Sequence, residues 1–170
     1  MKIKSLFTGL GLTLLISVFF AVASELFVFN TSPAFAQDVI SSCPLPVDIA
    51  NTFLNSECEE IQLSEAQDFY RYYSTDSMKY GRYLTTDQYS KNVDVIRNLA
   101  LNQAWGNQAT QIETVTLPAG TKIYKGIVAP QPPTECYPGM GHQVFIKDSK
   151  DPNIKWSAGQ NIGVEPFSCS

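Results

Sequence analysis

The sequence has one histidine, His142, in 170 residues. Nucleophile triads need a histidine beside a serine or cysteine, and zinc hydrolases need paired histidines. A single histidine excludes the paired-histidine zinc site and leaves His142 as the one histidine a triad could use. No two of the four cysteines form a C-x-x-C pair, so the ligand spacing of a structural zinc site is missing and no metal is expected. Neither G-x-x-x-x-G-K-[ST] nor G-x-G-x-x-G occurs, which leaves any nucleotide phosphate to be held by side chains. Arginine is scarce as well, with Arg71, Arg82 and Arg97 the only three. The chain shows no repeat and no low-complexity tract.

What is present first is a segment with the layout of an export signal. Lys2 and Lys4 form a short positive end, Leu6 to Ser24 is an uncharged apolar run, and Ala34-Phe35-Ala36 is the small-x-small pattern a signal peptidase reads. Residues 1–36 are therefore read as a secretory signal cleaved before Gln37. An earlier Ala21-Val22-Ala23 offers a second cleavage point or an uncleaved anchor. The remaining body holds ten bases against fifteen acids, a net charge of −5. Its bases are scattered, which argues against nucleic acid as a partner. Export places Cys43, Cys58, Cys136 and Cys169 where thiols oxidise, so two disulfides are expected. Four cysteines permit three pairings. Cys43–Cys58 with Cys136–Cys169 is preferred, because it closes a local loop and ties the tail to a loop. The localisation expected is secreted or periplasmic, with no membrane association after signal cleavage.

Along the body, residues 37–62 read as a disulfide-stapled leader in which Pro44 and Pro46 prevent regular structure. Residues 63–170 read as the main folded domain. Phe69 to Tyr73 has high strand propensity, Ser74 to Tyr80 is loop-like, and Arg82 to Thr85 is a second short strand. Thr86-Asp87 offers a helix cap. Val93, Ile96, Leu99, Ala100 and Trp105 recur at three- and four-residue steps, which predicts a helix from Asn92 to Trp105 with Trp105 on its core face. Two strands are expected around the Pro118-Ala119-Gly120 turn, and another at His142 to Ile146, before a tail that is mostly loop. The result is a small α+β domain, mostly antiparallel, with one main helix and disulfide stabilisation.

The order of several motifs is more specific than the composition. Tyr70-Arg71 is followed by Gly81-Arg82-Tyr83-Leu84-Thr85, then Leu117-Pro118-x-Gly120-Thr121, then Gly126-Ile127-Val128-Ala129-Pro130, and finally Pro138-Gly139-Met140-Gly141-His142-Gln143-Val144-Phe145. This series resembles the tuberculosis necrotizing toxin (TNT) family of secreted NAD glycohydrolases over roughly Phe69 to Ile146. There an aromatic-flanked Arg precedes a G-x-Y/F-L-[ST] strand, a G-x-x-A-P turn and a P-G-G-G-x-Q-aromatic strand. The resemblance implies a TNT-like, ADP-ribosyltransferase-like fold, no cofactor, and NAD or NADP as substrate. It puts Arg71 toward the dinucleotide, Tyr83 on the lining of the site and Gln143 in the role of catalytic glutamine, with Arg82, Thr85 and His142 as further substrate contacts. An immunity protein or a target cell would be the partner. Two departures stand out: the P-G-G-G run is altered at Met140 and Gly141, and the loop between Arg71 and Tyr83 is long.

These residue types suit the chemistry. Cleaving the nicotinamide–ribose bond builds oxocarbenium-like charge on the sugar while a neutral group leaves, so no strong general acid is required. A glutamine amide can hold ribose hydroxyls and orient water. Arginine's donor fork suits a diphosphate, and tyrosine can stack on a flat ring. An ADP-ribosyltransferase and a catalytically inactive extracellular binding module are the alternatives. A transferase would need a glutamate where Gln143 stands. Taken singly, Arg71 reads as a stacked surface arginine, Tyr83 as core, Gln143 as an ordinary strand residue, and Glu113 and Glu165 as solvated.

Overall fold

The computed structural model describes residues 42–169, and the expected export signal at residues 1–36 lies outside them. Eight strands form two sheets. The first runs β1 (Glu59–Gln62), β5 (Lys122–Ile127), β6 (His142–Ile146), β3 (Tyr83–Leu84) in spatial order. The second runs β2 (Gln67–Tyr73), β4 (Gln111–Leu117), β7 (Lys155–Trp156), with β8 (Gln160–Asn161) also pairing β4. Every strand pair is antiparallel. Two short helices, α1 (Val47–Ala50) and α2 (Asn92–Asn98), and two disulfides, Cys43–Cys58 and Cys136–Cys169, complete a small α+β domain. The pairing is the one preferred from the cysteine positions.

Alternation along the strands decides what each face covers. Phe69, Val115 and Leu117 of the second sheet meet Leu84, Ile123, Val144 and Ile146 of the first in the central core. The residues in between point outward from that core. Tyr124 and Phe145 turn to the opposite face of the first sheet and pack on Cys43, Ile49, Ala50 and Phe53. Tyr72 turns to the opposite face of the second and packs with Val95 of α2 and Ala109. The two sheets touch at a seam, where Tyr70 and Thr85 exchange backbone hydrogen bonds of 2.8 and 2.9 Å.

Several local expectations change in the structure. The stretch after Pro46 is helical, with Pro46 at the N-cap and its carbonyl accepting from the Ile49 and Ala50 N–H groups, and it supplies core rather than a loose leader. The predicted long helix stops at Asn98. Ala100 takes a left-handed φ of 48° and the Leu101 N–H reaches back to the Ile96 carbonyl, a Schellman-type stop made without glycine. A separate 3-10 turn, Gln103–Trp105, follows, and it swings Trp105 outward to 58% exposure instead of into the core. Thr86-Asp87 does not cap the helix, which begins five residues after Asp87 with Lys91 at its N-cap. The strands flanking Pro118 to Gly120 do not pair with each other. The turn carries the chain from one sheet to the other, held by Gly120 N–H on the Leu63 carbonyl at 2.7 Å.

Candidate active site

At the seam between the sheets lies a cavity of about 250 Å³. Its walls come from the start of α1's following turn (Thr52), from β2 (Tyr70, Arg71, Tyr72), from β3 and its extension (Tyr83, Leu84, Thr85), from the end of α2 and beyond (Leu99 to Leu101, Trp105), and from β6 (His142, Gln143). Five of the six residues singled out from the sequence therefore line one space: Arg71, Tyr83, Thr85, His142 and Gln143. Arg82 does not. It is exposed, with its guanidinium 5.1 Å from the Phe145 ring centre, a cation–π contact outside the cavity.

Gln143 sits on the same face of β6 as Phe145 and is 7% exposed. Its amide nitrogen donates to Thr52 Oγ1 at 2.8 Å, while the Thr52 hydroxyl donates to the Ile49 carbonyl at 2.7 Å. With its proton committed, the hydroxyl can only accept, and this fixes which end of the amide is nitrogen. The amide oxygen is left without a protein partner among the described residues, on a side chain that lines the cavity. Thr52 was missed in the sequence because it lies in the segment read as a leader. Gly126, opposite Gln143 in the ladder, is where Phe53 approaches, and a Cβ there would stand 2.7 Å from Phe53 Cδ1.

The turn that delivers Gln143 keeps its geometry across the Met140 departure. Gly139 and Met140 both have positive φ, 71° and 78°. Their N–H groups donate to the Arg97 and Val128 carbonyls, and Gly141 N–H donates to Asn98 at 2.9 Å. The turn is thus seated on the end of α2. Met140 itself is 60% exposed, so its side chain displaces nothing.

Arg71 has a structural task. Its Nε, Nη1 and Nη2 donate to the carbonyls of Lys79, Tyr83 and Met78 at 3.2, 2.9 and 2.8 Å. The long loop noted from the sequence is wrapped around this guanidinium. Opposite it on β4 is Glu113, which is 2% exposed and not solvated as expected. Its carboxylate makes no hydrogen bond among the described residues, and Lys79 Nζ is 3.4 Å away. Burial pushes the Glu113 carboxyl above the usual range, against the pull of Lys79 and Arg71. Burial likewise lowers the Arg71 value, and Glu113 partly opposes that.

His142 is held by Asp87, the residue read as a helix cap. The two carboxylate oxygens of Asp87 take the His142 backbone N–H and ring Nδ1, each at 2.7 Å, and Tyr89 donates its hydroxyl to Oδ2 at 3.0 Å. Burial alone would raise the Asp87 carboxyl; the hydrogen bonds from His142 and Tyr89 outweigh it and hold it below the usual range. Thr85 spends its hydroxyl accepting from Asp87 N–H, tightening the bend that follows β3. Glu165 is exposed and paired with Lys91. Among the described residues lining the cavity, Arg71 is the one fixed cation and no carboxylate is present. No group of three or more His, Cys, Asp or Glu among the described residues could hold a metal ion. Nor is any described helix long and apolar enough to cross a membrane.

No family model and no curated protein matches this chain. A solved structure does, that of Tne2 in complex with Tni2, with a TM-score of 0.54 and 17% identity over 64% of this chain and 94% of Tne2's. The chain shares the fold of Tne2.

Proposed function

We propose that the protein is a secreted NAD(P) glycohydrolase that cleaves the nicotinamide–ribose bond to give nicotinamide and ADP-ribose. The observation that carries this reading is Gln143, whose amide is clamped by Thr52 with its oxygen left unpartnered in a cavity free of carboxylates. An acceptor fixed in advance is what a sugar developing positive charge needs, because its hydroxyls become stronger donors in the transition state. The leaving nicotinamide is neutral and needs no proton, so the lack of a carboxylic acid is no obstacle. Arg71's remaining N–H donors supply positive charge for a diphosphate, and Tyr83, half-buried against Phe145, supplies a flat face beside it.

The lining also weighs against the transferase alternative, since the glutamate that reaction requires is not there. A non-catalytic binding role has one observation in its favour: three Arg71 donors are already used on main-chain carbonyls, which explains the arginine without a ligand. A protein that covers the cavity in the producing cell belongs to the proposal, because the structural neighbour is a complex of two proteins.

Nicotinamide release from NAD by the purified, disulfide-bonded protein is the test. Gln143→Ala is expected to lower turnover by about 100-fold or more while the thermal transition stays cooperative. Unchanged turnover in that variant would remove the assignment, and no release from well-folded wild type would leave the binding role.

A further inference from the structure

Trp105 is the largest side chain that the packing leaves exposed, and it stands on the wall of the cavity. Exposed tryptophans on loose segments need no explanation, but this one is on a fixed segment. Asn102 Oδ1 accepts from Ala104 N–H at 2.9 Å, and the Asn102 amide nitrogen donates to the Pro132 carbonyl. Gln103 donates from its side chain to the Leu101 and Asn107 carbonyls, both at 2.9 Å, and its backbone N–H donates to the Tyr137 hydroxyl. Gly106, with φ 80°, closes the turn. All of this holds the turn in place, yet the indole has no aromatic partner among the described residues, whereas Trp156 packs edge-on against Tyr80.

Size indicates what the indole is for. Pockets that enclose a drug-sized ligand run from about 300 to 1,000 Å³, and this cavity, at about 250 Å³, falls below that range. A dinucleotide can put only one half inside, and the other half must lie over the rim. The polar groups that suit the ribose and diphosphate (Gln143, Thr85, Arg71) are in the interior, with Tyr83 available to the ring buried there. A second flat ring remains outside, and Trp105 offers a rigid, desolvatable face to receive it. We infer that Trp105 is the stacking platform for the purine ring of the substrate, and so sets affinity for the adenylate half. This rests on reading the cavity as a dinucleotide site, but it concerns binding and not cleavage.

The test uses AMP, which has no nicotinamide bond to break, and nicotinamide mononucleotide. AMP should quench the tryptophan emission of the wild type saturably and leave that of Trp105→Phe, which reports Trp156 alone, unchanged. Trp105→Ala should weaken AMP binding by calorimetry about tenfold or more, leave nicotinamide mononucleotide binding within about twofold, and keep the wild-type Tm, since the side chain packs on no ring. With NAD, the same variant should raise KM and spare kcat. AMP binding equally tight in Trp105→Ala, or quenching of Trp105 by nicotinamide mononucleotide in place of AMP, would overturn the inference. If AMP binds through Trp105 but no nicotinamide is released from NAD, the platform stands and the hydrolase reading falls.

Discussion

Met140 occupies a left-handed backbone position that costs an L-residue about 1–2 kcal/mol, and its exposed side chain recovers little of it. Met140→Gly is expected to stabilise the protein by about 0.5–1 kcal/mol, after the extra flexibility of glycine in the unfolded chain is counted. A thermal melt at fixed pH checks it. Thr52 acts at the same scale but on turnover. Thr52→Val removes the acceptor that orients Gln143, and kcat for nicotinamide release should fall about tenfold, with Thr52→Ser restoring it. Glu113 gives a pH signature. Its carboxyl is raised by burial, so the folded protein holds this proton more tightly than the unfolded chain, and the stability it brings is greatest in acid and declines as pH rises past the usual Glu range toward the raised value. Glu113→Gln should abolish that decline and show an equal or higher Tm at neutral pH. A lower Tm there would mean that attraction to Arg71 and Lys79 outweighs burial.

Among the elements, the loop between β2 and β3 depends on one glycine. A Cβ on Gly81 would collide with the Arg71 guanidinium, which cannot retreat while three carbonyls hold it. Gly81→Ala is therefore expected to cost about 2 kcal/mol or more and to move Tyr83 in the cavity, read as a lower Tm together with a raised KM. Strand identity at this scale was legible: the aromatic run at Phe69 to Tyr73 and the short β-branched and aromatic run Val144-Phe145-Ile146 are local patterns, and both are strands. Ile96, Leu99 and Ala100 were legible as a packing face for the same reason, whereas Val93 of that set is only half-buried and the fully buried valine is Val95. Trp105 was not, because periodicity continues on paper past Ala100 while the backbone does not. Neither were Thr52 and Asp87, whose contacts to Gln143 and His142 are made across the chain between segments with no shared pattern. Glu113 was misread because a lone carboxylate beside Thr114 gives no local sign of burial, and only the folded sheet shows that the strand face it shares with Val115 and Leu117 is covered.

For the molecule as a whole, the two disulfides span 15 and 33 residues, and loop closure on that scale is worth about 3 to 4 kcal/mol each in the chain-entropy account. Reduction should lower the unfolding midpoint in denaturant by an amount of that order. The Cys43→Ser, Cys58→Ser pair should also lose turnover at temperatures where the fold persists, because that bridge anchors the Thr52 segment. The crossover at Pro118 to Gly120 has a different consequence. Since β4 and β5 do not form a hairpin, β1 waits for β5, β2 waits for β4 and β3 waits for β6. A chain emerging from the ribosome amino end first has no partner for its early strands until most of its length has been made, and the seam that forms the cavity closes only when Gln143 arrives. Folding dominated by such distant pairings is slow, so the newborn polypeptide is expected to stay unfolded, and therefore threadable, through most of its synthesis.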